Sequence, residues 1–379
     1  MTTKYELQLT NGLGNVFNVL KKDIVLTASV ALALASCFIS LPKAEYIDFK
    51  VLACLFNIMI IVKAFEELHL LDRVSARILN GCSDSRKVSL VLIALSFFSS
   101  MLFTNDVALL TLVPLAIAIG AKSGLDMLVT VILQTLAANI GSSLTPMGNP
   151  QNLYIFSYYK LHAGEFFTVV GAFAVLGLVW LILLNRKGHS VKLDFSLELV
   201  EIKNKKLAIL WGAVFLVIVL SVFNIVHYWI AFVLTALAAL MISPKLLLKA
   251  DYPLLITFIS LFIFIGNLSN IPMIDAFMNN LLGSGDSTYF TSILASQAIS
   301  NVPSAILLSG FTPHWRELLL GVNVGGMGTI IASLASVISY KLYIGAHPEN
   351  TGKYLAKFNL YNLVSLALFT FLNYLFLQL

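Results

Sequence analysis

Long apolar blocks recur along almost the whole chain, separated by short polar segments. Nine of them, at 23–41, 48–69, 125–158, 166–185, 207–223, 227–243, 251–268, 316–343 and 355–378, are long enough to cross a hydrocarbon core about 30 Å thick at about 1.5 Å per residue. Two further pairs of blocks are shorter. Residues 88–103 and 107–120 meet at Thr104-Asn105-Asp106, and 288–299 and 303–310 meet at Ser300-Asn301-Val302. Segments this short are expected to enter and leave a membrane on one side, as re-entrant hairpins. Two of the nine blocks are interrupted from within. "GSSLTPMGNP" (141–150) puts Pro146 and Pro150 where each removes a backbone donor and disfavours helix before it. "GGMGT" (325–329) loosens the other through glycine, which also lets a ligand approach the backbone. The pattern predicts an all-α polytopic membrane protein with about nine spans, two re-entrant hairpins and two broken helices.

Composition sharpens this. Hydrophobic residues make up 59% of the 379 and charged ones 11%, against about 25% charged in ordinary soluble domains. The formal charge of +5 does not point to nucleic acid, because Lys and Arg sit in short loops between the blocks. With the N-terminus inside and only the nine blocks crossing, inner segments hold 18 Lys or Arg and outer ones 4, as the positive-inside rule asks. The C-terminus then lies outside, in what is expected to be a bacterial inner membrane. Residues 1–22 are expected to be a cytoplasmic segment without a cleavable signal. Cys37, Cys54 and Cys82 show no metal spacing, and the six histidines are scattered.

The chain also repeats itself. Aligned without gaps, "NIGSSLTPMGNPQN" (139–152) and "NVGGMGTIIASLAS" (323–336) pair Asn139 with Asn323, Gly141 with Gly325, Thr145 with Thr329, Asn149 with Ser333 and Asn152 with Ser336. Each lies downstream of a hairpin tip. The halves are 23–185 and 207–379, joined by a basic linker, 186–206. Within them, 23–87 and 207–287 are expected to form scaffold, and 88–185 and 288–379 the hairpin and broken-helix parts. The two hairpins would enter from opposite faces, so the repeat is inverted, a recurrent plan for secondary transporters.

The candidate chemistry lies at the tips and breaks. A re-entrant tip leaves backbone N–H and C=O groups that lipid cannot satisfy, so it must face protein or a wet cavity. Thr104, Asn105, Ser300 and Asn301 add hydroxyls and amides there. Helix N-termini favour anions and C-terminal carbonyls favour cations; the bland alternative is that these residues cap short helices. Asp106 is the one charge at either tip. It is a candidate ligand for Na⁺, a candidate proton carrier, or an N-cap of 107–120. Lys63, Glu66 and Glu67 have the spacing of local ion pairs. Residues 65–82 and 267–287, the latter holding Asp275 and Asp286, read as interfacial helices. There is no paired nucleophile and base, metal-ligand set or phosphate loop, so an enzyme is not expected; a channel lined by paired hairpins is a separate alternative.

"TNDVALLTLVP", "TPMGNPQNLYIF" and "NVGGMGTIIASLAS" resemble the ion transporter superfamily of divalent anion/sodium symporters, arsenite permeases and sodium/proton antiporters. They are most similar to its citrate transporter-like and arsenite permease-like bacterial branch. The resemblance covers essentially the whole chain. It implies a homodimeric elevator moving a small anion, a carboxylate or an inorganic oxyanion, coupled to Na⁺ or H⁺, with no other cofactor. The substrate would meet Thr104, Asn105, Asn149, Asn152, Ser300, Asn301, Ser304, Ser333 and Ser336. The cation or proton would meet Asn105, Asp106, Asn139, Gly141, Thr145, Asn301, Asn323, Gly325 and Thr329. Asp106 and Val302 stand where the symporters' Ser-Asn-Thr tips have Thr, so two side chains that help hold a carboxylate are missing. The first half is one span shorter than the second. The alternative activity is efflux of a neutral metalloid hydroxide, or Na⁺/H⁺ exchange, through Asp106.

Overall fold

The computed structural model describes residues 23–188, 190–192, 197–198 and 201–379. The expected N-terminal segment 1–22 and parts of the 186–206 linker lie outside the described residues. Among the described residues the chain is helical, with one isolated bridge pairing Asp84 with Lys192.

The first half starts with α1 (Ile24–Cys37), α2 (Phe49–Glu67) and the short α3 (Leu70–Leu79). Then come α4 (Ser85–Phe103) and α5 (Asn105–Ser123), which fold back on each other at Thr104. The helix α6 (Leu128–Ser142) breaks through a 3-10 turn, Pro146–Gly148, into α7 (Pro150–Tyr158), and α8 (Ala163–Arg186) closes the half. After α9 (Lys205–Val222) the order recurs: α10 (Tyr228–Ile242), a single turn α11 (Lys245–Leu248), α12 (Tyr252–Leu268), α13 (Pro272–Leu281), α14 (Gly285–Ile299) and α15 (Asn301–Ser309). Next are α16 (Trp315–Gly325), a 3-10 turn at Ile330–Ala332, α17 (Leu334–Ala346) and α18 (Thr351–Leu377).

Packing between the halves is reciprocal. Helix α1 lies on α12 while α10 lies on α2, and α17 lies on α5 while α7 lies on α15. Both second helices begin on an aspartate. Asp48 accepts from Val51 N at 3.0 Å and Asp251 from Leu254 N at 3.1 Å, satisfying one orphan donor of each helix. Matched tyrosines end the broken helices. The Tyr159 hydroxyl donates to Thr312 O at 2.7 Å, and that of Tyr343 to Asp126 Oδ1 at 3.4 Å. Each ties the end of a broken helix to the loop leaving the other half's folded-back pair.

Several boundaries differ from the sequence expectation. The arms of the first folded-back pair are not short. Each has 19 residues and is by length and composition able to cross a membrane. Helix α4 gains a turn because Asp84 accepts from Lys87 N at 2.9 Å, so Ser85, Arg86 and Lys87 are helical despite their polarity. Helix α5 runs on through Lys122 to Gly124, whose φ of 70° ends it. The arms of the second pair have 15 and 9 residues. By length and composition five helices among the described residues qualify as spans, α4, α5, α8, α9 and α18, with the bent α12–α13 pair a sixth. Of the remaining expected spans, α1, α6, α10 and α17 are shorter apolar helices, while α2 has 19 residues but carries Lys50, Lys63, Glu66 and Glu67. Residues 267–287, expected to be an interfacial helix, contain α13, which turns 102° from α12 and buries none of its residues.

Candidate functional site

Each fold-back turns on one residue with the same backbone. Thr104 has φ 71° and ψ 150°, and Ser300 has φ 73° and ψ 154°. Neither is glycine, and a β-branched residue at positive φ is an outlier. Such conformations persist where the surroundings over-determine them, typically at binding sites. Asn105 and Asn301 follow, each starting a helix and 5% and 4% exposed. Asp106 is therefore the second residue of α5. The N-cap position is Thr104, without a side-chain capping bond, and the expected cap role of Asp106 is not seen. The Asp106 N–H instead donates to Asn105 Oδ1 at 3.0 Å. The Asp106 carboxyl has one buried oxygen, Oδ1, without a hydrogen-bond partner.

The breaks bring the two halves together. Asn139 Oδ1 accepts from Asn105 Nδ2 at 3.2 Å and from the Ser333 hydroxyl at 3.0 Å, while its Nδ2 donates to Gly326 O at 3.2 Å. At the matched place, Asn323 Oδ1 accepts from Asn149 Nδ2 at 3.4 Å, and Asn323 Nδ2 donates to Asn152 Oδ1 at 2.7 Å. Asn139 with Ser333 and Asn323 with Asn149 are thus equivalent bonds across the centre, all between buried groups. Asn149 Oδ1 also accepts from Asn152 N at 2.9 Å, capping α7. Buried amides satisfied this way fix one geometry, and losing one strands its partners.

Thr145 and Thr329 tie the breaks to the fold-backs. The Thr145 hydroxyl donates to Met101 O, and the Thr329 hydroxyl to Gln297 O at 3.3 Å. Both acceptors lie three residues before a tip. The close approach at Gly141 and Gly325 is by neighbouring helix, not open space for a ligand. A Cβ on Gly141 would lie 2.2 Å from Phe97 O, and one on Gly325 2.7 Å from Ser296 Cβ. Ser304 donates back to Ser300 O at 2.7 Å. Ser336 is buried with its hydroxyl unpartnered. Thr104 and Ser300 are half-buried at the surface of this cluster. Lys63 pairs with Glu66 at 2.8 Å, the expected local pair, while Glu67 pairs instead with Lys249 of the second half at 2.9 Å.

Sequence reasoning missed Gln297. Its Nε2 donates to Gly325 O at 2.7 Å and Met327 O at 3.0 Å, and its Oε1 accepts from Thr329 N at 2.9 Å. It pins the open backbone of the second break, whereas Met101 at the matched position supplies only a carbonyl. The signal was a lone amide three residues before Ser300 in an apolar helix. Ser142 and Gly326 were missed too. Ser142 accepts from Asn149 Nδ2 at 3.1 Å. Gly326 receives Asn139, and a Cβ there would lie 2.8 Å from Asn301 Nδ2.

The sequence of the two bent-back tips and of the first broken helix is shared with a known protein family. The citrate transporter family profile matches residues 16–314. This chain belongs to the citrate transporter family. The matched region ends just before α16, so Asn323 and its neighbours are placed by their correspondence with Asn139. Relatives of this family member agree with its transport character. An uncharacterised transporter of Methanocaldococcus jannaschii is 34% identical over 303 residues, 79% of this chain and 82% of the relative. The inner membrane protein YbiR of Escherichia coli is 29% identical over 301 residues, 78% and 80% of the two chains. The silicon efflux transporter LSI3 of Oryza sativa subsp. japonica is 28% identical over 109 residues, 29% of this chain and 22% of its own length. The protein is a multi-pass membrane transporter, not an enzyme.

Proposed function

We propose that this citrate transporter family member is a secondary active transporter that moves a small anion, a carboxylate or inorganic oxyanion, coupled to Na⁺ or H⁺. The observation that carries the reading is the matched pair of tips. Thr104 and Ser300 share one strained backbone, and each presents an asparagine beside a broken helix. The N-terminal ends of α5 and α15 supply free N–H groups for an anion at the tips. Carbonyls at the breaks and Asp106 supply oxygen donors for a cation. The chain is then two inverted repeats of about nine spans in all, with α4–α5 and α14–α15 re-entrant. The halves 88–185 and 288–379 slide together as an elevator against the remaining scaffold, in a homodimer in a bacterial inner membrane with the N-terminus cytoplasmic and the C-terminus outside. Reciprocal packing of α1 on α12 and α10 on α2 supports the repeat.

A second reading is efflux of a neutral metalloid hydroxide, or Na⁺/H⁺ exchange. It is favoured by Asp106, whose carboxylate adds negative charge beside any bound anion and leaves a buried oxygen unpartnered. A relative named for silicon efflux is consistent with it.

The test is uptake of labelled citrate, succinate, sulfate, phosphate and arsenite into proteoliposomes, with an inward Na⁺ gradient in one arm and an inward H⁺ gradient in the other. Saturable, gradient-driven anion uptake with counterflow supports the first reading and excludes a channel. Uptake should be lost in Asn105→Ala and Asn301→Ala while both remain folded; normal uptake in either variant sinks the tip site. If no anion enters in either arm, the exchange or efflux reading stands, and Asp106→Asn should then abolish it.

A further inference from the structure

One face of α17 carries polar residues from the central cluster to the far end of the helix. Ser333, Ser336, Ser339, Tyr343 and His347 follow at intervals of three or four, so they form one stripe. It spans about 21 Å at about 1.5 Å per residue. Ser333 bonds Asn139 in the centre. At the other end Tyr343 bonds Asp126, and Tyr343, His347, Asp126 and Asn350 line a pocket of about 240 Å³ where the α5–α6 loop meets the end of α17.

The middle of the stripe is anomalous. Ser336 and Ser339 are both 0% exposed, and neither hydroxyl has a protein partner. A serine inside a helix ordinarily donates to the carbonyl three or four residues back, as Ser96 and Ser296 do here. The stripe packs on α5 and α6, where Gln134 Oε1 is also buried and unpartnered. The Tyr354 hydroxyl of α18 is buried beside the Thr135 side chain of α6, and its ring lies 5.3 Å from that of Tyr343. A buried polar group left unbonded costs about 1–3 kcal/mol. The two serines in the middle of the stripe are better satisfied by water, which fills polar sites offering two to four partners.

We infer that this stripe lines a file of water molecules joining the Asn105–Asn139–Ser333 junction to the pocket at Asp126 and His347, and that the file carries protons to and from the junction. The charged and titratable groups at its mouth are Asp126, Lys353, Lys357, His347 and Glu349, with Tyr343 at the threshold. The proton role rests on H⁺ being the coupling ion of the proposed function; the water file itself does not.

The test is pulsed radiolysis of the full-length protein in proteoliposomes, followed by peptide mass spectrometry. Hydroxyl radicals form from the water present and oxidise nearby tyrosines. Tyr354 and Tyr289 are both 0% exposed, but Tyr289 donates to Thr370 O at 3.1 Å and does not lie on the stripe. We expect Tyr354 to be oxidised at a rate comparable with exposed Tyr158, and Tyr289 to stay protected. Tyr354 as protected as Tyr289 would overturn the inference. Ser339→Leu should fill the file and return Tyr354 to the Tyr289 level. Should that variant fail to fold, the wild-type comparison of the two tyrosines still decides. In Ser339→Leu, H⁺-driven uptake should be lost while substrate exchange without a gradient continues. Wild-type uptake driven by Na⁺ alone would remove the proton role and revise the coupling ion, leaving Tyr354 to judge the water file.

Discussion

At the scale of single residues, the tips combine a strained backbone with a short polar side chain, and the two contributions are separable. A residue held at positive φ costs of the order of 1–3 kcal/mol, whereas glycine adopts it freely but gives up about 0.5–1 kcal/mol of chain entropy. Thr104→Gly should therefore raise stability by about 1 kcal/mol, read as a higher melting temperature in detergent, while transport falls if the hydroxyl touches substrate. A lower melting temperature would mean that Thr104 is not strained at φ 71°. Asn139 behaves oppositely. Its amide serves Asn105, Ser333 and Gly326 at once. Asn139→Ala strands buried donors and should cost at least about 1–3 kcal/mol as well as transport; a stable, inactive protein would show that the network is needed only for function. Asn139, Asn323 and both tips could be found in the sequence because polar residues are conspicuous in apolar blocks and recur at equal offsets. Gln297 was not found, because its partners are backbone groups exposed by a break 28 to 32 residues away.

At the scale of elements, hydropathy located nearly every helix but misjudged the lengths of the first folded-back pair. Apolar content falls off at Ser85-Arg86-Lys87 and at Lys122, so the arms read as short. Local hydrogen bonding from Asp84 carries α4 on, and α5 runs through Pro114 and Gly120 to end only at Gly124, where φ turns positive. The break within 125–158 was legible because Pro146 and Pro150 cannot be helix interior, and the break after α16 because glycines cluster there. The loop between α5 and α6 offers a test of how the elements are held. Burial raises the Asp126 carboxyl, but hydrogen bonds from Lys353 Nζ at 2.8 Å and Leu128 N at 3.0 Å, with the Lys353 charge, outweigh it and hold the group below its ordinary range. The folded pKa is depressed, so its stabilisation is fully present above the unfolded carboxyl's value of about 3.9 and is lost as pH falls through the folded one. Both partners are about half exposed, which keeps the effect below about 1 kcal/mol. Lys353→Met should lower stability at neutral pH by up to about 1 kcal/mol and flatten the acid limb below about pH 4, so that the two curves converge in acid; an unaltered acid limb would remove the pair from the account.

At the scale of the whole molecule, the packing separates contacts that can travel together from contacts that must be exchanged. The amide bonds among α6, α7, α16 and α17, and the matched tyrosine bonds at Thr312 and Asp126, all lie within residues 88–185 and 288–379. Bonds through the centre and at both ends make this the body that would move as one piece in the proposed elevator. Its links to the remaining helices are of a different kind. The Ser157 hydroxyl donates to Asp48 Oδ2 at 3.1 Å, and the Tyr154 ring lies 5.5 Å from Phe262. In the proposed elevator motion the first must break and the second must shift. The 3.1 Å hydrogen bond holds the two side chains together, and a disulfide forms when the sliding or breathing of the helices brings the β-carbons to about 3.5–4.5 Å. With Cys37, Cys54 and Cys82 replaced by serine, the pair Asp48→Cys and Ser157→Cys should cross-link on oxidation. Turnover should then stop, and a thiol reductant should restore it. Each single variant, treated with oxidant, controls for the loss of the Asp48 cap on α2, which by itself lowers stability by about 1 kcal/mol. If the oxidised double variant transports at the rate of its reduced form, α2 and α7 keep their contact throughout the cycle. The moving boundary would then have to lie elsewhere in the fold.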